Sequence, residues 1–297
     1  MTAPDPSLVS TDPVLIPLFA EKGIRASVLR LDKIHPVISG NKFFKLHFYL
    51  EEAKQTGKDH IITYGGAWSN HIVATAAACR LYGFRSTGII RGEEPAVFSA
   101  TLKDALDYGM RLEFLSREDF TTRKRAYLSP SGSSYIIPEG GYGLHGARGA
   151  ATILQYVPDI STYTHICCAA GTGTMTAGLL SASDRIQKIV SVSVLKNNQQ
   201  LDTDIRSLSG DANKPALISH DHHFGGYAKH TAALLSFMND FFRQTTIPSD
   251  IVYTGKLFYA ILDMAKKDQF VPGSKLLLIH SGGLQGNRSL NKGTLIF

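Results

Sequence analysis

Apolar and polar positions follow two rhythms along the chain, and the rhythms take turns. Short runs rich in Val, Ile, Leu and Tyr, bounded by turn residues, predict strands at 61–64, 86–91, 111–115, 134–137, 164–168, 188–194 and 275–280. Between them, apolar residues recur every three or four positions and predict helices at about 70–82, 97–108, 145–156, 173–184, 229–243 and 255–267. A further amphipathic helix runs from Lys42 through Tyr49 to Lys54, with Ser39 or Asn41 placed to cap it. Short apolar strands separated by helices predict an α/β protein with mostly parallel sheets and helices on both faces. In such sheets ligands bind beyond the carboxyl ends of the strands. No internal repeat or low-complexity tract breaks the pattern.

At 297 residues the chain suits one large domain or two intimate ones, and 43% hydrophobic with 19% charged residues is the balance of a soluble globular enzyme. Cys79, Cys167 and Cys168 fall in apolar patterns without a disulfide framework or metal-ligand spacing, which predicts a reducing compartment, the cytoplasm. The start, Met1 to Pro6, has no charged-then-apolar signal pattern, and no apolar run reaches membrane-spanning length, so no membrane is expected. The net charge of +6 comes from dispersed residues whose one tight cluster is Arg123-Lys124-Arg125. Attraction of small anionic substrates accounts for it better than nucleic acid does. His220-Asp221-His222-His223 has the look of a metal-binding tract, but adjacent histidines seldom converge on one ion without a further ligand at helical spacing. No metal is expected.

Three segments carry chemistry. In Ser39-Gly40-Asn41-Lys42-Phe43-Phe44-Lys45-Leu46 a lysine opens a helix, where the positive end of the dipole disfavours an ammonium. A neutral amine is what a Schiff-base lysine requires; Lys45 lies on the same helical face and is the rival. The strand Ile61–Tyr64 runs through Gly65-Gly66-Ala67-Trp68 into Ser69-Asn70-His71, a polar triplet at a helix start where free N–H groups gather. The strand Thr164–Ala170 runs into Gly171-Thr172-Gly173-Thr174-Met175-Thr176, an anion nest at a strand-to-helix turn. A P-loop is excluded because no Gly-Lys-Ser/Thr follows. A dinucleotide fold lacks the acidic residue expected after the strand Val190–Val194. A lysine for an imine, a polar turn for a carboxylate and a Gly/Thr loop for a phosphate together point to pyridoxal phosphate.

With these residues the chain resembles the 1-aminocyclopropane-1-carboxylate deaminase and D-cysteine desulfhydrase group of pyridoxal-phosphate enzymes, of the tryptophan-synthase-β fold type. The matching elements are Gly40-Asn41-Lys42 with Lys45-Leu46, Tyr64-Gly65-Gly66 with Ser69-Asn70-His71, and Pro138-Glu139-Gly140-Gly141. They continue with Gly171-Thr172-Gly173-Thr174, Val252-Tyr253-Thr254-Gly255-Lys256 and His280-Ser281-Gly282-Gly283. They occur in the family's order and span residues 40 to 283.

The resemblance implies two open twisted αβ domains, a smaller one at 46–148 and a larger cofactor-binding one joining 1–45 to 149–297, in a homodimer. It implies that Lys42 carries the imine, that Gly171, Thr172, Gly173 and Thr174 hold the phosphate, and that Asn70 faces the cofactor's phenolic oxygen. Ser69 and its neighbours Asn70 and His71 would receive the substrate carboxylate. Tyr227 and Tyr253 fall at two active-site tyrosine positions, where a phenol orients the substrate amine or shuttles a proton if its surroundings lower its pKa. Thr254 and Ser281 would surround the pyridine nitrogen. In the deaminase branch a glutamate takes the place of Thr254 and an apolar residue that of Ser281.

A hydroxyl leaves the ring nitrogen closer to neutral, which suffices for loss of a good β-leaving group. The expected reaction is therefore α,β-elimination from a small amino acid such as D-cysteine, giving pyruvate and ammonia, catalysed by a lyase or hydrolase. The alternatives are 1-aminocyclopropane-1-carboxylate deaminase and a cofactor-binding protein with little turnover. An abbreviated lead-in at Leu29–Pro36, the pair Phe43-Phe44 and the pair Ala67-Trp68 depart from the family pattern.

Overall fold

The apolar runs at 165–170, 188–193 and 275–280 form strands whose two faces are both covered. The computed structural model describes residues 2–123, 132–210 and 215–297; Lys124 and Arg125 of the basic cluster lie outside them. The strands are β1 (Thr11–Pro13), β2 (Arg25–Arg30), β3 (His60–Gly66), β4 (Arg85–Arg91), β5 (Arg111–Leu115), β6 (Ser134–Ile137), β7 (His165–Ala170), β8 (Lys188–Ser193), β9 (Leu217–Ser219) and β10 (Lys275–His280). The helices are α1 (Pro17–Glu21), α2 (Asn41–Gln55), α3 (Asn70–Tyr82), α4 (Ala100–Asp107), α5 (Arg117–Arg123), α6 (Leu144–Ala151), α7 (Thr174–Ala182), α8 (Leu201–Ser209), α9 (Ala232–Thr245) and α10 (Thr254–Lys266).

Two sheets share the chain. Six strands run in the order β1-β2-β10-β7-β8-β9, and four in the order β5-β4-β3-β6. Every pairing is parallel except that of β1 with β2. In the larger sheet alternate residues feed two different cores. Cys167 and Ala169 of β7 and Leu276 and Leu278 of β10 pack on one side. Ile166, Cys168, Ala170, Leu277 and Ile279 pack on the other. Such strands read as continuous apolar runs because neither face meets water.

The strands and helices expected from the periodicity are present. The sequence pattern misses β1, β2, β9, α1, α5 and α8, which are short or, like β2, begin and end in arginine. The helix expected over 145–156 ends as an α-helix at Ala151 and tightens into a 3-10 turn at Thr152–Tyr156. Helix α6 brings the lysine helix and the phosphate-loop helix together through small residues. A Cβ on Gly149 would lie 2.0 Å from the carbonyl oxygen of Phe44 in α2, and one on Gly178 of α7 would lie 2.3 Å from that of Ala147.

The strand ends meet in one place. Strands β3, β4, β6, β7 and β10 finish at Gly66, Arg91, Ile137, Ala170 and His280, and the turns that follow carry most of the residues singled out above. No helix among the described residues is long and apolar enough to cross a membrane. No group of three or more His, Cys, Asp or Glu among them could hold a metal ion. His222 instead bonds Ser219 and Asp263 at 2.9 Å each, and the ring of His223 accepts from the Gly225 N–H.

Candidate active site

A cavity of about 400 Å³ lies beyond the carboxyl ends of both sheets. Lys42, Ser69, Asn70, His71, Tyr227, Tyr253 and the whole Gly171–Thr174 loop line it, so segments far apart in sequence converge. Ser281 lines a small adjoining recess with Lys42, Asn70 and Tyr253.

Lys42 is the second residue of α2. The residue before the helix is Gly40, with φ +60°, and neither Ser39 nor Asn41 caps the helix with its side chain, contrary to the expectation above. Glycine is required there because the backbone of Ser281 presses against it. Burial holds the Lys42 amine down to about 8. Among the described residues the amine's one hydrogen bond is a 3.4 Å donation to the Gly140 carbonyl, too weak to anchor an ammonium. Lys45 lines the same cavity at 3% exposure; burial, and then the charge of Lys42, push it well below the ordinary lysine value.

Ser69 caps α3, its oxygen accepting from the N–H groups of His71 at 3.3 Å and Ile72 at 3.4 Å. These bonds are long, and the hydroxyl proton remains available to a ligand. His71 is 1% exposed. Thr63 donates its only proton to the Ile137 carbonyl at 2.8 Å, so its oxygen accepts from His71 Nε2–H, also at 2.8 Å. That assigns the tautomer and leaves Nδ1 a bare acceptor without a partner. Burial, then the charges of Lys42 and Lys45, hold this imidazole well below its usual pKa. Asn70 Oδ1 is likewise buried and unpartnered.

The Gly/Thr loop opens α7 with Gly173 at φ +74° and no side-chain cap, so the first N–H groups of the helix have no intrahelical partner. Thr172 and Thr174 hydroxyls lie 2.9 Å apart across it. The Tyr253 ring lies over Gly171, 3.6 Å from where a Cβ would be, and meets the Tyr227 ring edge-on at 6.2 Å between centroids. Both phenols are raised above their ordinary pKa, chiefly by burial. The lowering expected for a tyrosine base is absent, so each stays protonated at neutral pH and acts as a donor.

Thr254 does not line the cavity. Its hydroxyl donates to Asp250 Oδ1 at 2.8 Å and accepts from the Asp250 N–H at 2.7 Å, closing the start of α10 in full burial. Helix capping uses its hydroxyl, so the structure does not bring it together with the other expected site residues at the cavity or the recess beside Lys42. Three charged residues at or near the site were not among the expected site residues, although Glu139 and Lys256 stand in the motifs at 138–141 and 252–256. Arg91 and Glu139 line the cavity; Arg91 ends a predicted strand, the one clue that placed it there. Lys256 is fully buried, held down to about 8 by burial, and donates to the carbonyls of His223 at 2.8 Å and Gly226 at 2.7 Å. It thereby clamps the loop that presents Tyr227.

Comparison with known proteins decides the family. The family described as "Pyridoxal-phosphate dependent enzyme" matches residues 13–282. The chain belongs to it. A Pyrococcus horikoshii protein provisionally named 1-aminocyclopropane-1-carboxylate deaminase is 30% identical over 272 residues, 84% of this chain and 81% of that one. The Arabidopsis thaliana mitochondrial bifunctional D-cysteine desulfhydrase/1-aminocyclopropane-1-carboxylate deaminase is 29% identical over 281 residues, 84% of this chain and 70% of its own. A crystal structure of an ACC deaminase homologue superposes with a TM-score of 0.76 at 25% identity, covering 96% of this chain and 94% of that one. Its fold is the fold-type II architecture expected above.

The residues present fit the cofactor of this family. A lysine held near neutrality, an uncapped helix start facing a Gly/Thr loop, and unpartnered buried polar atoms on Asn70 and His71 all meet in one cavity. The relatives are named as a deaminase and as a bifunctional desulfhydrase/deaminase; the expected alternative, hydrolase, stands in neither name.

Proposed function

We propose that this enzyme eliminates a β-substituent from a small amino acid, D-cysteine or a close analogue, giving pyruvate and ammonia. One observation carries the choice of substrate class. The recess beside Lys42 is lined by Ser281, Asn70 and Tyr253 and by no carboxylate among the described residues. The Gly171–Thr174 loop and the free N–H groups at the start of α7 would hold the phosphate, Ser281 would meet the ring nitrogen and Asn70 the phenolic oxygen. Pyridoxal phosphate bound in this way supplies the electron sink for charge developing at Cα.

The chain's own groups do the rest. Lys42, its amine held down to about 8 by burial, would hold the cofactor and serve as the base that takes the substrate's Cα proton. Ser69 O–H and the first N–H groups of α3 bind the substrate carboxylate. Tyr227 and Tyr253, as protonated phenols, donate hydrogen bonds that hold the substrate or the departing group. We take the four-stranded sheet and its helices, within residues 46–148, as a smaller domain supplying the carboxylate end of the site. The same reading includes a cytoplasmic setting, supported by three free buried thiols, and a homodimer, which rests on the resemblance.

The relatives' names support the competing reading, deamination of 1-aminocyclopropane-1-carboxylate. Purified protein loaded with pyridoxal phosphate decides between them. Sulfide and pyruvate from D-cysteine are expected at a higher kcat/KM than 2-oxobutyrate from the cyclopropane substrate. The reverse order rejects the proposal.

A further inference from the structure

We propose that the mouth of the cavity selects amino acids carrying a second anionic group on Cβ, with Arg91 as the side chain that receives it. This deepens the elimination chemistry proposed above and rests on it for the reaction, though not for binding. Among the described residues the charges lining the cavity are Lys42, Lys45 and Arg91 against a single acid, Glu139. Lys42 is committed to the cofactor. Lys45 is enclosed beside Gly141, its Cε 3.3 Å from where a Cβ there would be. The substrate's α-carboxylate is served by Ser69 and the α3 N–H groups. Arg91 is left over.

Its position is built rather than incidental. Arg91 is the last residue of β4, in register beside Gly66 of β3, and its Nη2 lies 3.8 Å from where a Cβ on Gly66 would be. The guanidinium sits over the buried Phe120 ring at 5.6 Å, within cation–π range. It has no hydrogen bond or ion pair with another described residue. Residues 124–131 contain no Asp or Glu that could serve as its counter-charge. A planar fork of N–H donors, held at a cavity mouth with no acid bonded to it among the described residues, matches a carboxylate, sulfonate or phosphate bidentately.

The reactive class is then a β-substituted alanine whose leaving group is itself an oxyanion, for which O-phosphoserine is the probe. The Cα proton goes to Lys42, and the Cβ–O bond breaks with its electron pair leaving on the phosphate oxygen. Water then replaces nitrogen in the released imine. The net change is O-phosphoserine plus water to pyruvate, ammonia and phosphate.

Binding is tested on the holoenzyme with ligands that have no good leaving group. Trp68, the only tryptophan, adjoins Ser69 and reports titrations by its fluorescence. Aspartate and asparagine, each in both enantiomers, have nearly the same size and differ in charge. In low salt, wild-type protein is expected to bind aspartate roughly tenfold tighter, a modest factor because solvent reaches the guanidinium. The ratio should shrink as salt is added. Arg91→Gln should bring it to about one, and Arg91→Lys should keep part of it.

A wild-type ratio near one, or equal weakening of both ligands by Arg91→Gln, overturns the proposal; the second result would assign Arg91 to the α-carboxylate. Pyruvate from β-chloro-D-alanine together with a ratio of one sinks this inference alone. A tenfold ratio without pyruvate from any substrate sinks the elimination reading alone and leaves the selective mouth standing.

Discussion

A Cβ placed on Gly40 would lie 1.9 Å from the carbonyl oxygen of Ser281. The same oxygen accepts the Asn41 N–H at 3.2 Å, so the start of the lysine helix and the turn after β10 form one backbone unit. Behind it Arg30 grips Asp32 with two bonds of 2.9 and 2.7 Å, and Asp32 lies 3.4 Å from His280. The short lead-in thus supports both ends of the Lys42 site.

Gly40→Ala is therefore expected to cost about 3 kcal/mol or more and to release the cofactor, because it combines a positive φ with a backbone collision. Gly57→Ala, also at positive φ but with open space around it, should cost about 1 kcal/mol and leave the cofactor bound. Denaturant unfolding and the cofactor's absorption check the pair; equal effects would refute the account.

The burial of Lys42 has a pH signature in the cofactor-free protein. Its folded pKa, about 8, lies below the unfolded value of 10.5. The folded state therefore gains stability from this group as pH rises from about 8 to 10.5, and loses it below 8, where the buried amine is charged. Lys42→Met should stabilise the cofactor-free protein at pH 7 by on the order of 1–3 kcal/mol, with the gain fading above pH 10. Thermal melts across that range test it. Cofactor capture by wild-type protein should quicken as pH rises through about 8.

At position 254 the capping role predicts the outcome of a tempting swap. Thr254→Glu would set a second carboxylate against Asp250 in full burial, where burial already pushes the Asp250 carboxyl upward. It is expected to cost about 3–5 kcal/mol rather than to convert the enzyme into a cyclopropane deaminase. Thr254→Ser keeps the hydroxyl and should stay close to wild type. A well-folded Thr254→Glu protein with raised deaminase activity would refute this account.

Lys256→Met removes the donors from the His223 and Gly226 carbonyls, leaving a loop in which Phe224, Gly225, Gly226 and Ala228 all have positive φ. Faster hydrogen exchange over 223–228 and about tenfold lower kcat/KM are expected, with lost stability of about 1–3 kcal/mol. Unchanged exchange in this loop would show that Lys256 does not hold Tyr227.

The sequence by itself determined the α/β class, seven of the ten strands among the described residues and the groups that chemistry needs. Those signals are local: apolar runs covered on two faces, glycines at turns, a lysine after Gly-Asn, threonines at a helix start. Strand β2 escaped notice because arginines bound it, and one of them, Arg30, turned out to be buried on Asp32. Only the tertiary structure decided which of the predicted residues meet. Thr254 sits one residue from Tyr253 yet faces Asp250, since a helix start directs successive side chains differently. The phenols of Tyr227 and Tyr253 are raised rather than lowered, chiefly by burial; at Tyr253 the neighbouring Tyr227 raises it further, and at Tyr227 burial outweighs the bond from Tyr253. Arg91, Asp250 and Lys256 gained their roles from neighbours distant in sequence, and a charge's surroundings are set by packing across such distances.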